Sequence, residues 1–261
     1  NDAPLAASVT ASGTEDAASI TIALSGSDTE DSSVASFKIK SLPADGTLYS
    51  DSGLSSAISV NATISASSNA ANVYFVPSAN WNGTTTFDYT SIDSNSVESS
   101  EAQATITVTA ANDLPTSTAD SISVVEDTNY TLSESDFGAY SDTDGDALTK
   151  VQITALPGTG TLQLYDGSSS WGNVSADAEI TVAQLANGYL RYVPAANGNG
   201  PDYATISFKV HDGTGYSASA YNLDITVAPI NDAPLAASVT ASGAEDAASI
   251  TIALSGSDTE D

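Results

Sequence analysis

Apolar and polar residues alternate along most of this chain. Ile20, Ile22 and Leu24 face one way while Thr21, Ala23 and Ser25 face the other, and Phe37 and Ile39 alternate with Lys38 and Lys40. The same period of two runs through Ile106 and Val108, through Ile206, Phe208 and Val210, and through Ile225 and Val227. A strand turns successive side chains to opposite faces, so the pattern predicts strands with one buried and one wetted face. Val, Ile, Thr and Tyr fill these runs; Gly, Asn, Asp and Pro punctuate them. Only residues 182–188 are expected to form a helical turn, and no other segment carries a convincing helical period.

The alternation is organised in repeats. Residues 231–261 repeat residues 1–31 with one change, Thr14 to Ala244, at an offset of 230. A weaker repeat lies within that unit. Asn1-Asp2-Ala3-Pro4 recurs as Asn112-Asp113-Leu114-Pro115 and as Asn231-Asp232-Ala233-Pro234, and Phe75-Val76-Pro77 matches Tyr192-Val193-Pro194. Likewise Tyr89…Asp93 matches Phe208…Asp212. These marks divide the chain into a module at 1–111, a diverged second at 112–230, and the truncated start of another at 231–261. About seven short strands in each 110- to 120-residue module fit an all-β, antiparallel sandwich of immunoglobulin-like size. The piece at 231–261 holds about two strands, too few for a sandwich alone.

Composition narrows the chemistry. Thirty-three acidic residues against five basic ones leave a net charge of −28, which excludes nucleic-acid binding through phosphate neutralisation. Apolar residues make up 41% of the chain, enough for a core, so the acidity is not that of a disordered tail. Cysteine is absent, removing disulfides, zinc–thiolate sites and cysteine nucleophiles. The lone histidine, His211, reads as structural. No run of 18 apolar residues is present to span a membrane.

The carboxylates fall at repeated places. Glu15-Asp16 recurs as Glu126-Asp127, and Asp28, Glu30 and Asp31 recur as Asp142, Asp144 and Asp146 and again as Asp258, Glu260 and Asp261. From Asp2 to Glu15 is a stretch of about 40 Å if extended, roughly the length of one sandwich. The first strand therefore carries Glu15 and Asp16 to the far end of module 1, near Asn112-Asp113. The next strand brings Asp28, Glu30 and Asp31 back near Asp2. The seam between modules 1 and 2 is thus expected to gather Glu15, Asp16, Asn112, Asp113, Asp142, Asp144 and Asp146, with Asp212 facing the same end. So many carboxylates repel unless a cation joins them. Ca²⁺ suits six to eight oxygen donors in irregular geometry; Mg²⁺ wants a stricter octahedron, and Zn²⁺ wants His or Cys.

These motifs, with the Tyr-Val-Pro…Asn-Gly…Phe-x-x-x-Asp-Gly ending of module 2, resemble bacterial cadherin-like tandem repeats from the extender regions of large RTX-type surface adhesins. The resemblance covers residues 1–230. It implies a secreted, extracellular chain at a bacterial surface whose module junctions bind Ca²⁺ and stiffen a rod. It carries the ligand role to the residues just named, and to Glu126, Asp127, Asn231 and Asp232 at the next boundary. Module 1 departs from the pattern: Asp93-Ser94 stands for Asp212-Gly213, and Thr84-Thr85 for Asp202. The far end of module 2 is therefore expected to bind more ions, or bind them more tightly.

Plainer readings stand beside these. Asp142-x-Asp144-x-Asp146 opens like an EF-hand loop, but Ala147 replaces the required Gly and Ile153 the closing Glu. Glu126-Asp127 has a plainer reading as a solvated turn. Trp81 and Trp171 read as covers for a core edge before they read as sugar platforms. Acid pairs at module ends, with no insertion to build a cleft, argue against glycoside hydrolysis and against an enzyme. The expected function is a Ca²⁺-stiffened spacer whose partners are neighbouring repeats. The alternatives are a module binding glycans or proteins, and a protomer associating laterally in a filament or sheath.

Overall fold

The computed structural model describes residues 2–258; Glu260 and Asp261, two expected ligands, lie outside them. The chain divides into two compact units, Asn1–Asn112 and Asp113–Asp261. In the first unit the strands are β1 (Leu5–Ala7), β2 (Val9–Thr14), β3 (Ile20–Ser27), β4 (Ser36–Ile39), β5 (Gly46–Tyr49), β6 (Thr63–Ser65), β7 (Ala70–Pro77), β8 (Gly83–Ile92) and β9 (Ala102–Thr109). They form two sheets, ordered β1-β3-β7-β5 and β2-β9-β8-β4-β6. The alternating apolar positions meet between them: Ile20, Ile22 and Leu24 from one sheet pack in a single cluster with Phe37, Phe87, Tyr89 and Ile106 from the other. Each large side chain buried this way stabilises the fold by about 1.5–3 kcal/mol.

The second unit repeats the plan with β10 (Asp120–Val125), β11 (Tyr130–Thr131), β12 (Lys150–Ala155), β13 (Thr161–Tyr165), β14 (Trp171–Asn173), β15 (Ala178–Thr181), β16 (Leu190–Val193), β17 (Gly200–His211) and β18 (Tyr221–Ala228). Its sheets run β11-β16-β13-β14 and β10-β18-β17-β12-β15. The helical turn expected at 182–188 is α1 (Val182–Ala186), capped at its start by Thr181, whose hydroxyl accepts the Gln184 N–H. A second turn, the 3₁₀ segment Glu134–Phe137, has no helical period to announce it. Four residues are too few for one, and its signal is the Ser133-to-Asp136 capping box, which inserts Phe137 edge-on against Phe208 at 5.1 Å.

Both sandwiches depart from a purely antiparallel plan in one respect. β2 pairs parallel with β9, and β10 parallel with β18. The cause in the first unit is that the opening strand is not one continuous run. β1 pairs antiparallel with β3 in one sheet, and after Ser8 the chain crosses to the other sheet as β2, running alongside the last strand. Tyr89 fastens this crossing: its hydroxyl, buried between the sheets, donates to the Ala7 carbonyl and lies 3.2 Å from that of Ser25.

In the last segment β19 (Leu235–Ala236) pairs antiparallel with β20 (Gly256–Ser257), and Ile250, Ile252 and Leu254 are exposed.

Candidate metal centres

Asp28 directly follows β3, and Asp93 directly follows β8. With Asp31 they bring three carboxylate oxygens within 4.8 Å of one another. The loops are shaped by the carboxylates themselves. Asp28 Oδ1 accepts the backbone N–H groups of Glu30 (2.9 Å) and Asp31 (2.8 Å), while its Oδ2 is buried with no hydrogen-bond partner. Asp93 is buried, and its Oδ1 accepts the N–H groups of Asn95 and Val97. Asp31 Oδ2 accepts from the Ser94 hydroxyl and the Asn95 amide at 2.8 and 3.0 Å. Glu30 reaches back to the start of the unit and accepts the Asp2 N–H at 2.5 Å.

The second unit builds the same device. Asp142, Asp144 and Asp146 place their oxygens within 4.8 Å of one another. Asp142 Oδ1 accepts the N–H groups of Asp144 and Asp146 at 2.9 and 3.1 Å, and its Oδ2 is buried without a partner, as in Asp28. Asp144 accepts the Asp113 N–H at 2.8 Å, as Glu30 accepts that of Asp2. Asp212 is buried and shapes its turn by accepting from Thr214 and Gly215. Its charge falls on the same group: the Tyr140 phenol is pushed up to about 12, first by burial and then by Asp142, Asp212 and Asp146. Like charges 4.8 Å apart repel by roughly 3 kcal/mol at an effective dielectric of about 20. An all-oxygen donor set with a buried oxygen left unpaired fits a hard divalent cation, Ca²⁺ before Mg²⁺.

The other expected ligands divide differently. Glu15 and Glu126 are not solvated turn residues; Glu126 is 1% exposed. Both oxygens of each are engaged. Glu15 accepts from the Ala111 N–H at 2.8 Å and the Asn82 amide at 3.4 Å, and Glu126 from the Ile230 N–H at 2.7 Å and the Asn199 amide at 2.9 Å. Each therefore pins the trailing end of its unit to the turn after the first strand. Asp16, Asp127, Asn112 and Asn231 are exposed, and Asp127 accepts the Asn197 N–H. Asp202 is exposed on β17, in the register shift between Gly200 and Ala204, outside both acidic groups. Asp232 and Asp258 are half-buried in the last segment. Asp93 is the ligand candidate that sequence reasoning omitted, although its alignment with Asp212 pointed to it. His211, at the end of β17, is structural in its contacts: Nδ1 accepts the Gly213 N–H at 2.8 Å, and the ring meets Tyr216 edge-on.

Residues 112–226 match the profile of a family described as Bacterial Ig domain. No curated protein matches. Among solved structures, the chain is similar to extracellular cadherin domains 1–4 of protocadherin gamma B7, at 12% identity over 98% of this chain and 60% of that one, TM-score 0.48. It thus spans 60% of that chain's length. It is also similar to an endo-fucoidan hydrolase of glycoside hydrolase family 107, at 18% identity over 87% of this chain and 29% of the other, TM-score 0.33. The titin domains z1z2 in complex with telethonin match at 15% identity over 88% of this chain and 98% of theirs, TM-score 0.27. Sheet order and the family match over residues 112–226 together support an Ig-like sandwich of bacterial type for the second unit. Among the described residues no helix is long and apolar enough to cross a membrane.

Proposed function

We propose that this chain is a spacer segment of a bacterial surface adhesin, a run of Ig-like modules stiffened by Ca²⁺ at the leading end of each. The observation that carries this reading is the repeated acid turn. Asp28 and Asp142 each spend one carboxylate oxygen on two backbone N–H groups and keep the other buried and unpartnered. Glu30 and Asp144 each hold the N–H of the aspartate that begins the module. Across the first boundary, Glu15 grips Ala111 and Asp144 grips Asp113, so only Asn112 separates the two gripped residues along the chain.

In this reading Asp28, Asp31 and Asp93 hold one ion and Asp142, Asp144, Asp146 and Asp212 another. Without metal the clustered charges repel and the neighbouring linker flexes. With metal the repulsion becomes attraction, and each occupied site adds about 2.7 kcal/mol of stability at a hundred times its dissociation constant. Extracellular modules bind Ca²⁺ at roughly 10⁻⁴ to 10⁻³ M, so the rod forms outside the cell and not within it. Small-angle scattering in millimolar calcium, against the same sample with chelator, tests the proposal: the maximum dimension falls and its distribution broadens on chelation. An unchanged profile defeats calcium stiffening.

A further inference from the structure

The outward face of the sheet β11-β16-β13-β14 carries planar side chains in two registered rows. Tyr189, Tyr165 and Trp171 form one row, since Tyr165 pairs with Trp171 and its N–H bonds the Tyr189 carbonyl. Arg191, Gln163 and Asn173, directly opposite one another on adjacent strands, form the next. Period-two alternation puts Leu162, Leu164 and Leu190 on the core side, so both rows face outward. The rings are in contact without being coplanar: Tyr165 lies 5.4 Å from Trp171 with the planes inclined at 45°, and 5.2 Å from Tyr189 edge-on at 69°. The polar row is braced as one piece: Arg191 Nε and Nη2 both donate to Gln163 Oε1, Gln163 Nε2 donates to Asn173 Oδ1, and the guanidinium lies 3.9 Å from the Trp171 ring centre. Around the edge of β14 runs an open groove of about 480 Å³, lined by Tyr165, Asp166, Ser170, Trp171 and Asn173 and, on its inner side, by Leu164, Val174 and Ala178. Asp166 fixes the hairpin tip by accepting the N–H groups of Ser168, Ser169 and Ser170 on Oδ1.

Among its described residues the first unit has no such face. Aligned on the shared Val-Pro ending of β7 and β16, Tyr74 stands for Arg191, Asn72 for Tyr189 and Tyr49 for Gln163. In place of β14 it has a single bridge, Tyr49 to Ala57. The platform is therefore specific to one module, which a requirement for a repeating rod shape does not explain. Trp81, by contrast, packs against the core of its unit, as the sequence led one to expect.

We propose that this face and groove bind a neutral glycan, with pyranose rings lying on the aromatic row and hydroxyls met by Asn173, Asp166 and Ser170. Aromatic rings offer the C–H face of a sugar an apolar surface, here a faceted one with Arg191 covering one face of Trp171, and the rim of amides and a carboxylate matches its hydroxyls in both donors and acceptors. Charge selects a neutral chain: a protein of net charge −28 repels acidic polysaccharides, and its sole arginine is committed to Gln163 and Trp171. A peptide adding to the edge of the sheet is disfavoured because β14 is only three residues long.

The site lies outside the acidic groups, so it stands or falls separately from calcium stiffening. The test uses the full chain with Trp81→Phe, leaving Trp171 as fluorescence reporter, titrated with neutral cello-, manno- and galacto-oligosaccharides, with polygalacturonate, and with a peptide library, each with and without chelator. A neutral oligosaccharide shifts the Trp171 emission at millimolar concentration or below, and chelator leaves the affinity unchanged. Tyr165→Ala weakens binding at least tenfold, and Asn173→Ala weakens it severalfold while leaving the rings and the unfolding midpoint in place. Binding of no neutral sugar, binding of polygalacturonate or peptide alone, or full affinity in both variants overturns the proposal.

Discussion

Residues 5–27 and 235–257 have the same sequence apart from Thr14 and Ala244, and they end in different surroundings. The local pairing is identical: Leu5 opposes Ser27 and Ala6 opposes Gly26, and 230 residues later Leu235 opposes Ser257 and Ala236 opposes Gly256. Burial is not. Ile20, Ile22 and Leu24 are 4, 1 and 0% exposed, whereas Ile250, Ile252 and Leu254 are 50, 56 and 85% exposed. In the first copy β3 pairs with β7, some 50 residues further along, and faces the sheet that contains β8 and β9. Residues 231–261 do not themselves include a counterpart of those strands. A hairpin-like pairing is thus encoded within about 25 residues, while the core that makes it a sandwich is assembled from distant ones.

The sharpest way to break this comparison is to cut the same side chain from both copies. Leu24→Ala removes a fully buried side chain and leaves a cavity, lowering the unfolding free energy of the first unit by about 2–5 kcal/mol. Leu254→Ala, at a surface position, changes the stability of the last segment by less than about 0.5 kcal/mol. Urea denaturation followed at Trp81, with Trp171 replaced by Phe, reads the first unit, and amide exchange at residues 250–254 reads the last segment; equal losses in the two variants, each read in its own place, would show that the last segment has a core of its own. Next in size is Glu15 against Glu245. Glu15→Ala deprives the Ala111 N–H and the Asn82 amide of a charged acceptor and costs about 1.5–3 kcal/mol. Glu245 is exposed, and its removal leaves amide exchange at residues 250–254 unmoved.

A third pair uses glycine. A Cβ on Gly13 meets Ile20 Cγ1 at 2.6 Å, and one on Gly243 meets Ile250 Cγ1 at the same 2.6 Å. The contacts are alike but the freedom to yield differs, because Ile20 is held in the core and Ile250 is half exposed. Gly13→Ala therefore destabilises by about 1–3 kcal/mol, as overpacking does, while Gly243→Ala is nearly neutral. Equal tolerance at both positions, measured as above, would mean that Ile20 shifts freely inside the sandwich.

The same contrast marks what was legible in the sequence. Alternation at Ile20, Ile22 and Leu24 announced a strand with one greasy face, and strand arithmetic placed Asp28 and Glu30 beside Asp2 and Glu15 beside the chain's exit at Ala111. Both readings rest on local periodicity and length. What escaped depends on residues far apart in the chain. The crossing at Ser8 goes with the pairing of β2 to β9, distant in the chain, and the burial of Glu126 with Asn199 and Ile230. The aromatic face at Trp171 arises from the register of three strands, none of which is unusual alone. Asp93 was visible as a repeat of Asp212, yet its serine neighbour hid its place in the acidic group; Ser94 donates to Asp31 while Asp93 stays in that group.

The smallest effect expected is one of acid, and it too separates the copies. The Glu98 carboxyl is held down from its ordinary 4.5 to about 2, chiefly by the Thr90 hydroxyl, then by Lys40 and Lys38, against opposing burial. A carboxyl depressed in the folded state contributes stability that is fully present above its unfolded value and is lost as pH falls through its folded one. The first unit should therefore weaken between about pH 4.5 and about 2. The loss is modest, because the side chain is one-third exposed and pairs with lysines at 3.0 and 3.3 Å in reach of solvent. Glu98→Gln flattens the urea midpoint over that pH window and leaves the midpoint near neutral pH slightly lower. Residue 98 lies beyond the stretch that the last segment repeats, so amide exchange at 250–254 should show no matching pH step attributable to such a group. A step of equal size there, or an unchanged slope in Glu98→Gln, would place the acid sensitivity in the clustered aspartates shared by both copies and not in the part of the sandwich that only the first possesses.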